Sequence, residues 1–359
     1  MKTVFAFGLL IMTLVVPTSC NPTDEPKGEQ FDRGEMLENF TKSLILPKFN
    51  DAFQWSSELR FSINSLVNSP NITLGNLQEV QAIWKEAYIQ YLKVSMYNFG
   101  PAGEEAIKKS LVEEVATFPV NVGRVLAKTQ TENPNFGDFE RDSRGYLALD
   151  YLLFNEDALN NLQSNPNYRN YALKVAEDIE KRLELVNEQW NSYQAEFVTN
   201  NGTDAGSSTS ALYNEFVKSY EGLKNFKVGL PLGLRPGQSQ PEPEKVEALY
   251  SGLSLEFIKT QFDALTAVWK GGSGLGFDNY LEKVEGGPAL KISTEQQIAV
   301  IKNELAKFSA GDKLSTLIQT EEDKVRSLHT ELQKNTRFFK SELSSLLGIA
   351  ITFTSGDGD

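Results

Sequence analysis

Leu147 and Asp150 lie three residues apart within Arg144-Gly145-Tyr146-Leu147-Ala148-Leu149-Asp150-Tyr151-Leu152-Leu153-Phe154. On a helix that spacing puts two side chains on one face, where a histidine and a glutamate could both grip a single metal ion. Leu147 carries no lone pair, so this pair itself cannot grip a metal. One carboxylate remains. Joined by Glu247, and by Asp142 or Glu114, Asp150 could offer an all-oxygen site to a hard cation. In the preferred alternative Leu147 fills the space with hydrocarbon. Asp150 then pairs with Arg124, Arg141, Arg144 or Arg235, or caps a backbone group, because a buried carboxylate needs compensation.

Other catalytic constellations lack parts. The chain has one histidine, His329, in the polar run Lys324-Val325-Arg326-Ser327-Leu328-His329. One imidazole cannot build a histidine-based zinc site, and no motif around His329 suits it as the base of a serine hydrolase. It reads as a solvated or capping residue. The chain is therefore expected to be no enzyme, with no metal ligands and no cofactor.

Charge and the N-terminus narrow the partners. The 48 Asp+Glu against 35 Lys+Arg give a formal net charge of -13, and the basic residues are dispersed, which argues against nucleic acid. Met1 and Lys2 precede an apolar run over 4–16, followed by Pro17-Thr18-Ser19-Cys20. A run this short before small residues is the pattern of a signal peptide, here 1–19, rather than of a spanning helix. Cys20, the chain's one cysteine, resembles the lipidated cysteine of a bacterial lipoprotein, although Pro17 departs from the usual leucine-type residue. Residues 20–34 suit a flexible tether. The expected location is the cell envelope, with an N-terminal lipid anchor in the outer membrane and the protein facing periplasm or surface.

Helices must hold these side chains. Leu77, Val80, Ile83, Trp84, Ala87, Tyr88, Tyr91 and Val94 recur in steps of three and four, marking a buried face. Trp84, Tyr88, Tyr91 and Tyr97 could line a groove, but helical spacing favours core packing. Pro47, Pro70 and Pro101 fall where helices should break or start. Further helices are predicted over 104–116, 120–128, 139–154, 168–197, 211–227, 244–269, 277–284, 293–308 and 313–347, with a capping start at Thr294 for the next to last. Between them, 229–237 is too rich in glycine and proline for helix and opens a long irregular connection, a kind that is often functional. Gly145, Gly229 and Gly233 could allow close backbone approach, with Pro231 stiffening the loop. Only 349–353 suggests a short extended tail. The fold class is all-α, two antiparallel helical bundles over 35–160 and 161–359.

Several segments, in order, resemble the imelysin family. Residues 84–101 (WKEAYIQYLKVSMYNFGP) look like its first signature helix and turn, and Phe118-Pro119-Val120 resembles its Trp-Pro-Val/Leu segment. Residues 145–150 take the place of its Gly-x-His-x-x-Glu motif, with leucine for histidine and aspartate for glutamate. Residues 227–234 (KVGLPLGL) resemble its Leu/Ile-Pro-Leu-Gly loop, and 246–251 its Val-Glu-Ala-x-x-Ser helix. Residues 276–281 and Asp357-Gly358-Asp359 also fit. The resemblance implies two four-helix-bundle-like halves, a role in iron acquisition, and a site where the motif helix meets the loop and helix of the second half. On this chain the cleft would involve Arg124, Gly145, Leu147, Asp150, Pro231, Arg235, Glu247 and Ser251. The expected function is a lipid-anchored, non-catalytic component that binds a ligand or an envelope partner during uptake of iron, haem or another nutrient. The alternative is a metal-binding protein or metal-dependent peptidase using Asp150 and carboxylates of the second half.

Overall fold

The computed structural model describes residues 31–103 and 110–353. The signal peptide, Cys20, most of the tether, part of the helix predicted over 104–116, and Asp357-Gly358-Asp359 lie outside the described residues. Asp32 caps α1 (Arg33–Asn39), which continues through a π-helical segment, Phe40–Ile45, into α2 (Leu46–Val67). Pro47 does not break this path. It sits in the first turn of α2, behind a segment whose hydrogen bonds already follow the wider π pattern. Thr73 and Asn76 form a reciprocal cap for α3 (Leu74–Leu92), and the short α4 (Leu111–Val115) and α5 (Val122–Lys128) follow. Next come α6 (Gly145–Phe154), α7 (Ala158–Ser164) and the 34-residue α8 (Pro166–Thr199).

The second half opens with α9 (Ser208–Gly222), which passes into a π segment, Leu223–Gly229. After the irregular connection come α10 (Ser254–Lys270), α11 (Phe277–Glu282), α12 (Gly287–Ala306), α13 (Leu314–Thr320) and α14 (Glu322–Thr336). A third π segment, Arg337–Leu343, leads to α15 (Ser344–Leu347). Among the described residues there is no strand, so the all-α expectation holds.

In the first bundle α2 packs against α3 and α8, and α6 fits against α3 and α8. Trp190 of α8 anchors it, with its ring against Phe49, Phe99 and Phe197. In the second, α10 lies against α9 and α11, and α12 against α14. Phe339 holds this half together, its ring meeting Phe216 and Tyr220. Each such buried aromatic contributes roughly 1.5–3 kcal/mol through the surface it removes from water. The two bundles meet where α3 packs on α10, and the chain from Asp32 onward is one compact unit.

Three expectations need correction. Helix α8 was expected in the second bundle, because the polar stretch before it resembled a boundary, yet it lies along α2 and α6. The helix predicted over 244–269 begins only at Ser254: Ala248 and Gly252 have φ of 51° and 72°, so 247–252 is a turn. Helix α12 starts at Gly287 with proline in its first turn, leaving Thr294 mid-helix, where its hydroxyl donates to the Leu290 carbonyl at 2.8 Å. The tail at 349–353 is held by Asn214, its Nδ2 donating to Ala350 O at 3.0 Å and its Oδ1 accepting from the Thr352 N–H at 2.8 Å.

Candidate functional site

Gly145 begins α6 with φ of 78°, and a Cβ there would stand 2.3 Å from the Val115 carbonyl oxygen. The absent side chain lets α6 start against α4, which sets the position of everything after it. Leu147 and Asp150, both 1% exposed, then face Phe118, Pro119, Val120 and the turn at Ala248–Tyr250 across a space of about 50 Å³. The Asp150 oxygens accept from the N–H groups of Tyr250, at 2.9 Å, and Ser251, at 3.0 Å. These are donors that the helix predicted here would have used internally. Burial pushes Asp150 up to about 6, opposed by the Ser251 hydroxyl and then by those N–H bonds, and reinforced by the nearby Glu247 charge.

A larger cleft of about 310 Å³ opens between the bundles, lined by Tyr88 and Tyr91 of α3, Asn225 and Lys227 of the π segment, Glu247, and Gln261 of α10. Its wall holds a buried ion pair, Lys227 Nζ to Glu247 Oε1 at 2.6 Å, and the Tyr88 hydroxyl donates to the same carboxylate. Burial pulls the Lys227 ammonium below its ordinary range while the Glu247 carboxylate holds it up. Burial and Glu247 together push the Tyr88 phenol well above its usual value. Stacked rings at 5.9 Å join Trp84 to Tyr88 and Tyr88 to Tyr91. The two readings of this stripe therefore divide: Trp84 and Tyr97 are core, whereas Tyr88 and Tyr91 are packed and also line the cleft.

No arginine reaches Asp150, contrary to one of the pairings considered. Arg124 is at the surface with Asp142, at 2.8 Å; Arg141 and Arg144 bind Glu114, at 2.9 and 2.6 Å; Arg235 lies over the Phe226 ring. Backbone amides supply the compensation instead. The same pairs take Asp142 and Glu114 out of any carboxylate cluster around Asp150. Ser251 touches Asp150 through its backbone, and Pro231 stays in the loop, where its carbonyl accepts from the Glu242 N–H at 2.9 Å. Gly233 has φ of 73° because the Gln240 carbonyl would crowd any Cβ. His329 is not a solvated residue: it packs near Gly229, and burial aided by Lys224 and Arg326 lowers it to about 4. Lys227, Asn225, Gln261 and Phe118 were missed as site residues. Only Lys227 left a trace in the sequence, a lysine beside an otherwise apolar loop.

The residues at Leu147 and Asp150 do not fit a metal ion. Leu147 offers hydrocarbon where a ligand would be needed, and Asp150, each of whose oxygens already accepts one backbone N–H, would stand as a lone ligand. Among the described residues no group of three or more His, Cys, Asp or Glu is placed to hold a metal.

The model of the imelysin family, whose name marks it as a peptidase family, matches residues 45–337. The chain belongs to the imelysin family. Two solved structures share its fold with a TM-score of 0.69. One is a candidate iron-regulated protein A precursor from Parabacteroides distasonis ATCC 8503, at 13% identity over 88% of this chain and 95% of that one. The other is an imelysin-like protein from Psychrobacter arcticum 273-4, at 17% identity over 91% and 99%. No curated protein matches. The imelysin assignment and the all-α fold thus agree with the expectations drawn from the sequence.

Proposed function

We propose that this imelysin-family chain is a non-catalytic binding protein, exported and lipid-anchored through Cys20, which holds a small ligand or partner group in the interbundle cleft during iron-linked uptake. The observation that carries this reading is the buried Tyr88–Glu247–Lys227 cluster in the cleft wall. A desolvated ion pair is costly unless well paired, and here it sits at an open space rather than in a closed core. Support for the non-catalytic part is the aliphatic Leu147 and the backbone-bonded Asp150. Support for the iron link is that a structure sharing the fold is of a candidate iron-regulated protein. Support for the lipid anchor is the sequence pattern alone, an apolar run over 4–16 followed by small residues and Cys20.

Native mass spectrometry of the chain purified from its own envelope tests this reading. A bound small molecule is expected, lost in Lys227→Met. Stoichiometric metal that disappears in Asp150→Ala, together with peptide cleavage, would replace this reading with the metallopeptidase alternative. A Cys20→Ser chain should leave the membrane fraction.

A further inference from the structure

Three residues lining the cleft, each more than nine-tenths buried, carry a polar atom without a hydrogen-bond partner: Tyr91 Oη, Glu247 Oε2 and Gln261 Oε1. Asn225, 7% exposed, lines it too and makes no side-chain hydrogen bond to the described residues. Three such buried groups around one space are unusual, since buried polar atoms are nearly always paired. We propose that the cleft takes an uncharged molecule bearing several hydroxyl groups on a flat apolar frame, an inference that rests on the binding role above and names its ligand class.

Hydrogen-bond chemistry selects the hydroxyls. Glu247 Oε2 and Gln261 Oε1 only accept, Lys227 only donates, and Asn225 and Tyr91 can do either. A hydroxyl group both donates and accepts, so a single functional group satisfies this mixed set. Charge selects neutrality. Each carboxylate at the cleft has an ammonium: Glu247 with Lys227 at 2.6 Å, Glu215 with Lys218 at 3.1 Å, and Glu221 with Lys340 at 3.1 Å. An ionic ligand would give up its hydration without an unbalanced charge to meet it. Shape selects the frame. Phe118, Phe226 and Phe353 line the cleft with aromatic rings, behind which Tyr88 and Tyr91 are packed. A volume of about 310 Å³ is at the small end for ligand sites. Sugar rings and catechols share this chemistry.

Titration calorimetry of the full chain separates the sources. The probes are uncharged mono- and disaccharides, catechol, and three charged controls: lysine, glutamate and inorganic phosphate. Saturable binding by a neutral probe is expected, weakened at least tenfold by the near-isosteric variants Gln261→Met and Asn225→Leu, with little change on raising salt. Binding by saccharides alone assigns a sugar, and by catechol alone a phenolic ligand. Circular dichroism identifies a variant that has merely failed to fold. If only charged probes bind, or no neutral probe binds, the proposal is overturned. Any molecule then found on the envelope-purified chain leaves the binding role standing, whereas a bare protein removes both.

Discussion

The turn at 247–252 borders two spaces of different character. Ala248–Tyr250 face Leu147 and Asp150 across a small space of about 50 Å³, beside which two backbone hydrogen bonds tie the turn to Asp150. Glu247, just ahead of them, borders about 310 Å³ with Tyr88 and Lys227. Both spaces contain a buried carboxylate, but they compensate it differently. Asp150 is stabilised by fixed amide dipoles, which hold the turn on α6 and leave little for a ligand to add. Glu247 is stabilised by the Lys227 ammonium and the Tyr88 hydroxyl, side-chain groups at the cleft, and its Oε2 has no hydrogen-bond partner. The difference assigns structural work to the motif helix and binding work to the cleft.

The largest test of that division is Lys227→Met, which leaves the Glu247 carboxylate buried without its ammonium. It should cost about 3–5 kcal/mol in urea unfolding, and Lys227→Met/Glu247→Met should recover much of the loss. Recovery of stability without recovery of ligand would mark the pair as functional.

Next is the pH response of Asp150. Its folded value of about 6 lies above the ordinary 3.8, so the folded state holds the proton more tightly. Its contribution to stability therefore falls as pH rises from about 4 to 6. Urea midpoints at pH 4 and pH 7 should show wild type losing about 2 kcal/mol relative to Asp150→Asn, which does not titrate there. An equal slope in both proteins would mean that the amide dipoles cancel the burial effect.

Gly145→Ala probes the rigidity of the sealed side. With φ of 78° and the Val115 carbonyl 2.3 Å from the added methyl, a loss of roughly 2–3 kcal/mol is expected by thermal or urea denaturation. The smallest expected effect is on metal affinity in Leu147→His. Restoring the imidazole should give no tight zinc site by calorimetry, because the amides of Tyr250 and Ser251 still occupy Asp150. Micromolar or tighter zinc binding would show that the leucine alone silences the site.

Much of this was legible in the sequence, for identifiable reasons. The steps from Leu77 to Val94 mark the buried face of α3 because a helix with one wet side must repeat its apolar residues every three or four positions. Leu147 announced the loss of a ligand by residue type alone. The turn at 247–252 was not legible: Ala248 takes a left-handed conformation with no glycine or asparagine to signal it, and only the Asp150 carboxylate a hundred residues away explains why. The grouping of α8 was missed because the polar stretch before it encloses α7 rather than a linker. Gln261 and Asn225 were invisible for another reason. What distinguishes them is a missing partner, a property of three-dimensional neighbours and not of residue order.

The grip of Asn214 on Ala350 and Thr352 has a practical corollary. Phe353, the next residue, forms part of the cleft wall. A fluorescent label introduced at position 353 would therefore stand in the wall of the binding space and compete with whatever enters. Labels intended to be silent belong elsewhere, and one intended to sense occupancy has a natural position there.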